Sequence, residues 1–116
     1  MTNSLRTIPE LIAGIRPTMK CLSAAEARKE ITENHGLLID VREPTEVAEN
    51  PTPDSINIPR GIIEMRILEQ HSDPSMPIYI HCATGARATL AAEQLKRLGY
   101  QYVAIITCDL ESICSV

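Results

Sequence analysis

The sequence predicts an α/β domain in three layers, with a mainly parallel central sheet and helices on both faces. Two short apolar runs, Leu37-Leu38-Ile39-Asp40-Val41 and Ile78-Tyr79-Ile80-His81, suit central strands covered on two faces. Stretches with helical spacing of apolar residues separate the strand-like runs, which implies right-handed crossovers and a parallel sheet. A chain of 116 residues fits one such domain and therefore one active site.

Residues 1–19 read as an N-terminal extension and residues 20–116 as the domain. Within Thr7 to Ile15, Pro9 suits a first helical position, and Ile8, Leu11, Ile12 and Ile15 share one face of a short amphipathic helix. Ser23-Ala24-Ala25-Glu26 has the spacing of a capping box, and Gly36 can supply a left-handed stop, so a helix is expected over about 24–34. The first strand follows, and Pro44 and Pro77 help to mark strand edges. Then come a proline-rich turn from Asn50 to Pro53, an extended piece at Ile56-Asn57-Ile58, and a helical pattern with Ile62, Ile63, Met65 and Leu68 near its apolar side. His71 to Pro77 reads as loop. Apolar residues at Ala88, Ala91, Ala92, Leu95 and Leu98 before Gly99 mark the clearest helix, and Tyr102 to Ile106 a last strand.

Composition narrows the function. Apolar residues make up 44% of the chain and charged ones 22%, an ordinary globular balance. Without Trp or Phe, stacking sites for bases are not expected. A net charge of -4 and the lack of a Lys/Arg run argue against nucleic acid. No apolar stretch approaches membrane-helix length, and the opening residues lack a secretion signal, so the expectation is a cytoplasmic protein without membrane contact. Cys21, Cys82, Cys108 and Cys114 form neither a disulfide scaffold nor a CxxC pair, so reduced thiols and no metal are expected.

The chemistry is expected in Ile80-His81-Cys82-Ala83-Thr84-Gly85-Ala86-Arg87-Ala88, where a buried strand gives way to a long helix. In open α/β sheets ligands bind at that edge. Small residues at Ala83, Gly85 and Ala86 let the backbone curl around the sulfur so that N–H groups converge on it, and the helix start adds its positive end. Arg87 is expected to add a full positive charge nearby. These effects favour the thiolate, making Cys82 a nucleophile at neutral pH. Most lone cysteines are small buried hydrophobes, and the loop around Cys82 is what sets it apart. Arg87 also suits an anionic donor, with Arg60 and Arg66 as weaker candidates. His81 is expected to point away from the loop mouth and is not assigned as a base; His35 and His71 read as element ends or loop.

Leu38-Ile39-Asp40-Val41-Arg42-Glu43-Pro44, Ser55-Ile56-Asn57-Ile58-Pro59, Cys82-Ala83-Thr84-Gly85-Ala86-Arg87 and the stretch from Ala91 to Tyr100, in this order, resemble a rhodanese-like domain. The resemblance covers about residues 20–106. It implies the rhodanese fold and a single-domain thiosulfate sulfurtransferase: Cys82 takes the outer sulfur of thiosulfate or a persulfide donor and passes it to a thiol or cyanide acceptor. Ala83, Thr84, Gly85, Ala86, Arg87 and Ala88 would hold the persulfide, and Asp40 and Arg42 would brace the site. No cofactor is implied; the partners are a small-molecule sulfur donor, a thiol acceptor and a potential protein acceptor.

Two rivals remain. A cysteine phosphatase or arsenate reductase also has Cys, Gly and Arg in one loop, but places one more residue between Cys and Arg than the four from Ala83 to Ala86. A noncatalytic interaction module that keeps the fold is the other. It draws on Thr107 to Val116, which lacks the glycine pair and aromatic-bearing helix usual in the family. Cys108, following the last strand, is a candidate resolving thiol for Cys82, although an unpaired thiol is the plainer reading.

Overall fold

The structure, a computed structural model, describes residues 4–107. Its helices are α1 (Ile8–Ile15), α2 (Ala24–Asn34), α3 (Pro44–Glu49), α4 (Ile63–Gln70) and α5 (Ala86–Leu98). Its strands are β1 (Lys20–Leu22), β2 (Leu37–Asp40), β3 (Ile56–Asn57), β4 (Ile78–His81) and β5 (Val103–Ile106). They form one sheet in the order β1-β5-β4-β2-β3, with every neighbouring pair parallel.

Strand side chains alternate between two cores, as a period of two requires. Ile39, Ile78, Ile80 and Ile105 face α4 and α5, where they meet Ile63, Ile67, Ala88, Ala91, Ala92 and Leu95. Leu38, Tyr79, Ala104 and Ile106 face the opposite side, where α2 contributes Ala24 and Ala27. This is the expected three-layer α/β arrangement. Ile39 and Ile80 are wholly buried, and each such side chain contributes about 1.5–3 kcal/mol over an exposed one. Of the three tyrosines, Tyr100 packs in the first core and the other two serve the second. Tyr79 and Tyr102 both donate their hydroxyls to Glu30 Oε1, at 2.8 and 2.6 Å, so their polar tips are satisfied where their rings pack.

Several local expectations change. His35, not Gly36, takes the left-handed position that ends α2, at φ 58°. Gly36 is needed for closeness instead, since a Cβ there would stand 2.7 Å from Tyr79 Cε1 and 2.9 Å from the Pro77 carbonyl. Met65 and Leu68 on α4, and Leu98 on α5, are exposed, whereas Ile63 and Ile67 carry the inner face of α4. β1 and α3 were not expected: three residues and six are too short to show a period.

α1 begins at a capping box in which Thr7 and Glu10 satisfy each other's backbone amides. It packs against α5, burying Ile12 and Ile15 and leaving Ile8 and Leu11 exposed. Among the described residues, no helix is long and apolar enough to cross a membrane.

From β2 the chain moves outward to β3, and from β4 it moves the other way, to β5. The C-terminal ends of β2 and β4, paired through Asp40 and His81, therefore flank a reversal of strand order, where α/β sheets open a crevice.

Candidate active site

Cys82 lies one residue beyond β4, at that crevice. Val41 N donates to the His81 carbonyl at 3.0 Å, extending the β2–β4 ladder to the edge of the loop. The chain then turns through Ala83, Thr84 and Gly85 and enters α5 at Ala86. Gly85 makes the turn feasible with φ +93°, a conformation L side chains rarely adopt. The turn is pinned by Thr89, whose backbone N and Oγ1 both donate to the Gly85 carbonyl, at 2.9 and 2.7 Å.

The result is a sulfur held by peptide dipoles. Gly85 N donates to Cys82 Sγ at 3.0 Å and Ala88 N at 3.4 Å. These amides belong to the start of α5, where N–H groups lack helical acceptors and the helix dipole is positive. Cys82 is only 1% exposed. Thr84 is exposed, Ala83, Ala86 and Arg87 are half-buried, and Ala88 is buried.

Arg87 is not the free charge the sequence suggested. Its Nη1 and Nη2 donate to Glu46 Oε1 and Oε2 at 2.6 and 2.9 Å, a bidentate pair across α5 and α3. Those hydrogen bonds hold the Glu46 carboxyl down to about 2 and raise the guanidinium further above its ordinary value. Glu46 was missed in the sequence because it is remote from the loop and lies on a helix too short to recognise.

Asp40 and Arg42 brace the neighbouring strand end. Arg42 Nε donates to both Asp40 oxygens at 3.1 Å, and its Nη2 lies 2.8 Å from Oδ2. The same guanidinium reaches the carbonyls of Glu46 at 3.3 Å and Asn50 at 2.7 Å, so it ties the middle of α3 and its C-cap to the sheet. Thr52 Oγ1 donates to Asp40 Oδ2 at 3.2 Å, and Asn57 Nδ2 donates to the carbonyls of Asp40 and Arg42 at 3.0 and 2.9 Å. Burial alone would raise the Asp40 carboxyl, but hydrogen bonds from Arg42 hold it below its ordinary value. A link thus runs from β2 through the buried Arg42 to α3, and continues through the half-exposed pair of Glu46 on α3 with Arg87 beside the loop.

His81 projects to the opposite face of the sheet from Cys82. Its Nε2 lies 2.8 Å from Ser55 Oγ, and burial lowers its imidazole to about 4. Arg60 is engaged by Glu64 at 3.0 Å, and Arg66 is exposed. Cys21 is free and exposed, while Cys108 and Cys114 lie outside the described residues. Among the described residues, no three His, Cys, Asp or Glu side chains gather to hold a metal ion.

A family model for the rhodanese-like domain matches residues 23–115. The chain belongs to the rhodanese-like domain family. It is similar to a sulfurtransferase of Allochromatium vinosum, 38% identical over 64 residues that cover 55% of this chain and 58% of that protein. The chain therefore spans little more than half the length of that curated relative. The polysulfide-sulfur transferase homodimer of Wolinella succinogenes is 29% identical with a TM-score of 0.77, covering 89% of this chain and 78% of that one. A Rhodopseudomonas palustris protein of unknown function, described as a possible tyrosine phosphatase, aligns over 97% of this chain and 93% of its own at a TM-score of 0.79. Its 24% identity shows the shared fold alone. In this rhodanese-like chain, the loop from Cys82 to Ala88 stands where the sheet, α3 and α5 all converge.

Proposed function

We propose that the chain is a sulfurtransferase that carries sulfane sulfur on Cys82. The observation that carries this reading is the pair of α5 amides directed at Cys82 Sγ. Amides that hold a thiolate can equally hold the terminal sulfur of a persulfide, because both states place negative charge on sulfur within one fixed dipole field.

In the first half-reaction the Cys82 thiolate attacks the outer sulfur of thiosulfate or a persulfide. A sulfur–sulfur bond forms as the donor's own breaks, and sulfite or the donor thiolate leaves with the electron pair. In the second, a thiolate or cyanide acceptor, small molecule or protein, attacks the terminal sulfur and Cys82 departs as thiolate. Charge is conserved in each step, and neither requires a cofactor. Ala83, Thr84 and Ala86 shape the turn, Arg87 with Glu46 fixes the helix start, and Asp40 with Arg42 fixes α3 behind it.

Intact mass after thiosulfate treatment tests the reading. Native protein is expected to gain one sulfur atom and Cys82→Ser none. A folded native protein that gains nothing would support a noncatalytic module instead, a reading favoured by the 1% exposure of Cys82. Hydrolysis of an aryl phosphate by the native protein, lost in Cys82→Ser, would support a phosphatase.

A further inference from the structure

We infer that Arg16 is a positioning residue for the Cys82 loop, acting through Thr89 and Gly85, an inference that rests on the sulfurtransferase reading above. Arg16 caps the end of α1, where its backbone N–H donates to the Ile12 carbonyl. α1 is anchored on α5 by the buried Ile12 and Ile15. That docking fixes where the Arg16 side chain starts, and the half-buried guanidinium reaches the loop from there.

Two contacts join Arg16 to the turn. Its Nε donates to Thr89 Oγ1 at 3.3 Å, and that hydroxyl donates to the Gly85 carbonyl at 2.7 Å. A hydroxyl offers one donor and two acceptor sites, so the two bonds coexist. A helical threonine divides its Oγ1 between two rotamers, and a donor from Arg16 favours the one that holds Gly85. The second contact is one of packing: Nη2 lies 2.6 Å from where a Cβ on Gly85 would stand. Glycine permits the φ of +93° but leaves the backbone free to move. The guanidinium fills the space into which the turn would relax.

Gly85 N is the closer of the two amide donors to Cys82 Sγ, at 3.0 Å. A continuous path therefore runs from Arg16 through Thr89 and Gly85 to the sulfur, and Thr89 and Gly85 are buried along it. Arg42, Arg60 and Arg87 each pair with a carboxylate, whereas no described residue forms an ion pair with Arg16. No carboxylate among the described residues competes with the turn for this guanidinium.

The test is single-turnover formation of the Cys82 persulfide by the full chain at rising thiosulfate concentration. A residue that holds the amides around the sulfur, and not the donor, changes the saturating rate alone. Arg16→Gln is expected to lower that rate about tenfold, the lower end of the range for a hydrogen bond to a charged group, and to leave half-saturating thiosulfate unchanged. Arg16→Lys should recover part of the rate. Thr89→Val, which keeps the shape and removes the hydroxyl, should slow the reaction similarly, and the double variant little further, because both act on one path. Ile12→Val, which weakens α1 docking without touching Thr89, should lower the urea midpoint and spare the rate. Without donor, the Gly85 amide proton resonance should move in Arg16→Gln and Thr89→Val and stay in Ile12→Val. A rise in half-saturating thiosulfate at constant rate would make Arg16 a donor contact and overturn the inference. Additive losses in the double variant, or equal slowing by Ile12→Val, would overturn it as well. Native protein that forms no persulfide while the Gly85 resonance moves as expected would sink the sulfurtransferase reading and sustain the positioning role. Persulfide formation indifferent to Arg16→Gln would do the reverse.

Discussion

The reactivity proposed for Cys82 rests on the backbone amides around its sulfur, and that geometry depends on Gly85 more than on any charged side chain. At φ +93° an L residue costs about 1–2 kcal/mol. Gly85→Ala is therefore expected to lower stability in urea by about that amount, and to slow alkylation of Cys82 as its amide contacts loosen. Unchanged alkylation would mean that the turn does not set the reactivity. This part of the site was legible because small residues between a buried strand and a long helix leave the backbone few other courses. The state of Arg87 was not, because its partner Glu46 lies far away in sequence. The approach of Arg16 to Gly85 likewise exists only once α1 has docked on α5.

At the level of elements, α3 connects the sheet to the loop, and Arg42 keeps it in place. Asp40 and Arg42 are 0% and 1% exposed. Removing one partner of such a pair leaves a buried charge uncompensated, a loss of about 3–5 kcal/mol. Arg42→Met should fall in that range by urea denaturation, and replacing Asp40 and Arg42 together by apolar residues should lose less. Equal losses would show that the ion pair itself is not the connection. The sequence pointed to this pair as a brace only through its resemblance to known domains. α3, the element that the pair holds, showed no periodic pattern over its six residues. β1, an edge strand of three residues, was equally invisible before β5 gave it a partner.

For the whole molecule, acid stability should follow His81. Its imidazole is lowered by burial from the ordinary 6.5 to about 4, so the unfolded chain takes up this proton first. The stabilisation is complete above about pH 6.5 and is lost as pH falls through about 4, on the order of 3 kcal/mol in all. Urea midpoints measured across that interval should decline steeply in native protein and more gently in His81→Asn; parallel curves would contradict the assignment. Glu46, held down to about 2, keeps its pair with Arg87 through the same window. The α/β architecture could be read from the alternation of strand-like runs and helical stretches. The placing of β4 between β5 and β2, which puts Cys82 next to the Asp40–Arg42 brace, is a property of the assembled sheet. The most direct test of sulfur transfer through Cys82 is a single-turnover chase with thiosulfate labelled in its outer sulfur. After the donor is removed and a thiol or cyanide added, the label should pass from native protein to the acceptor, with about one label bound per chain beforehand and none bound by Cys82→Ser. Label that never binds native protein, or that binds Cys82→Ser equally well, would contradict the account.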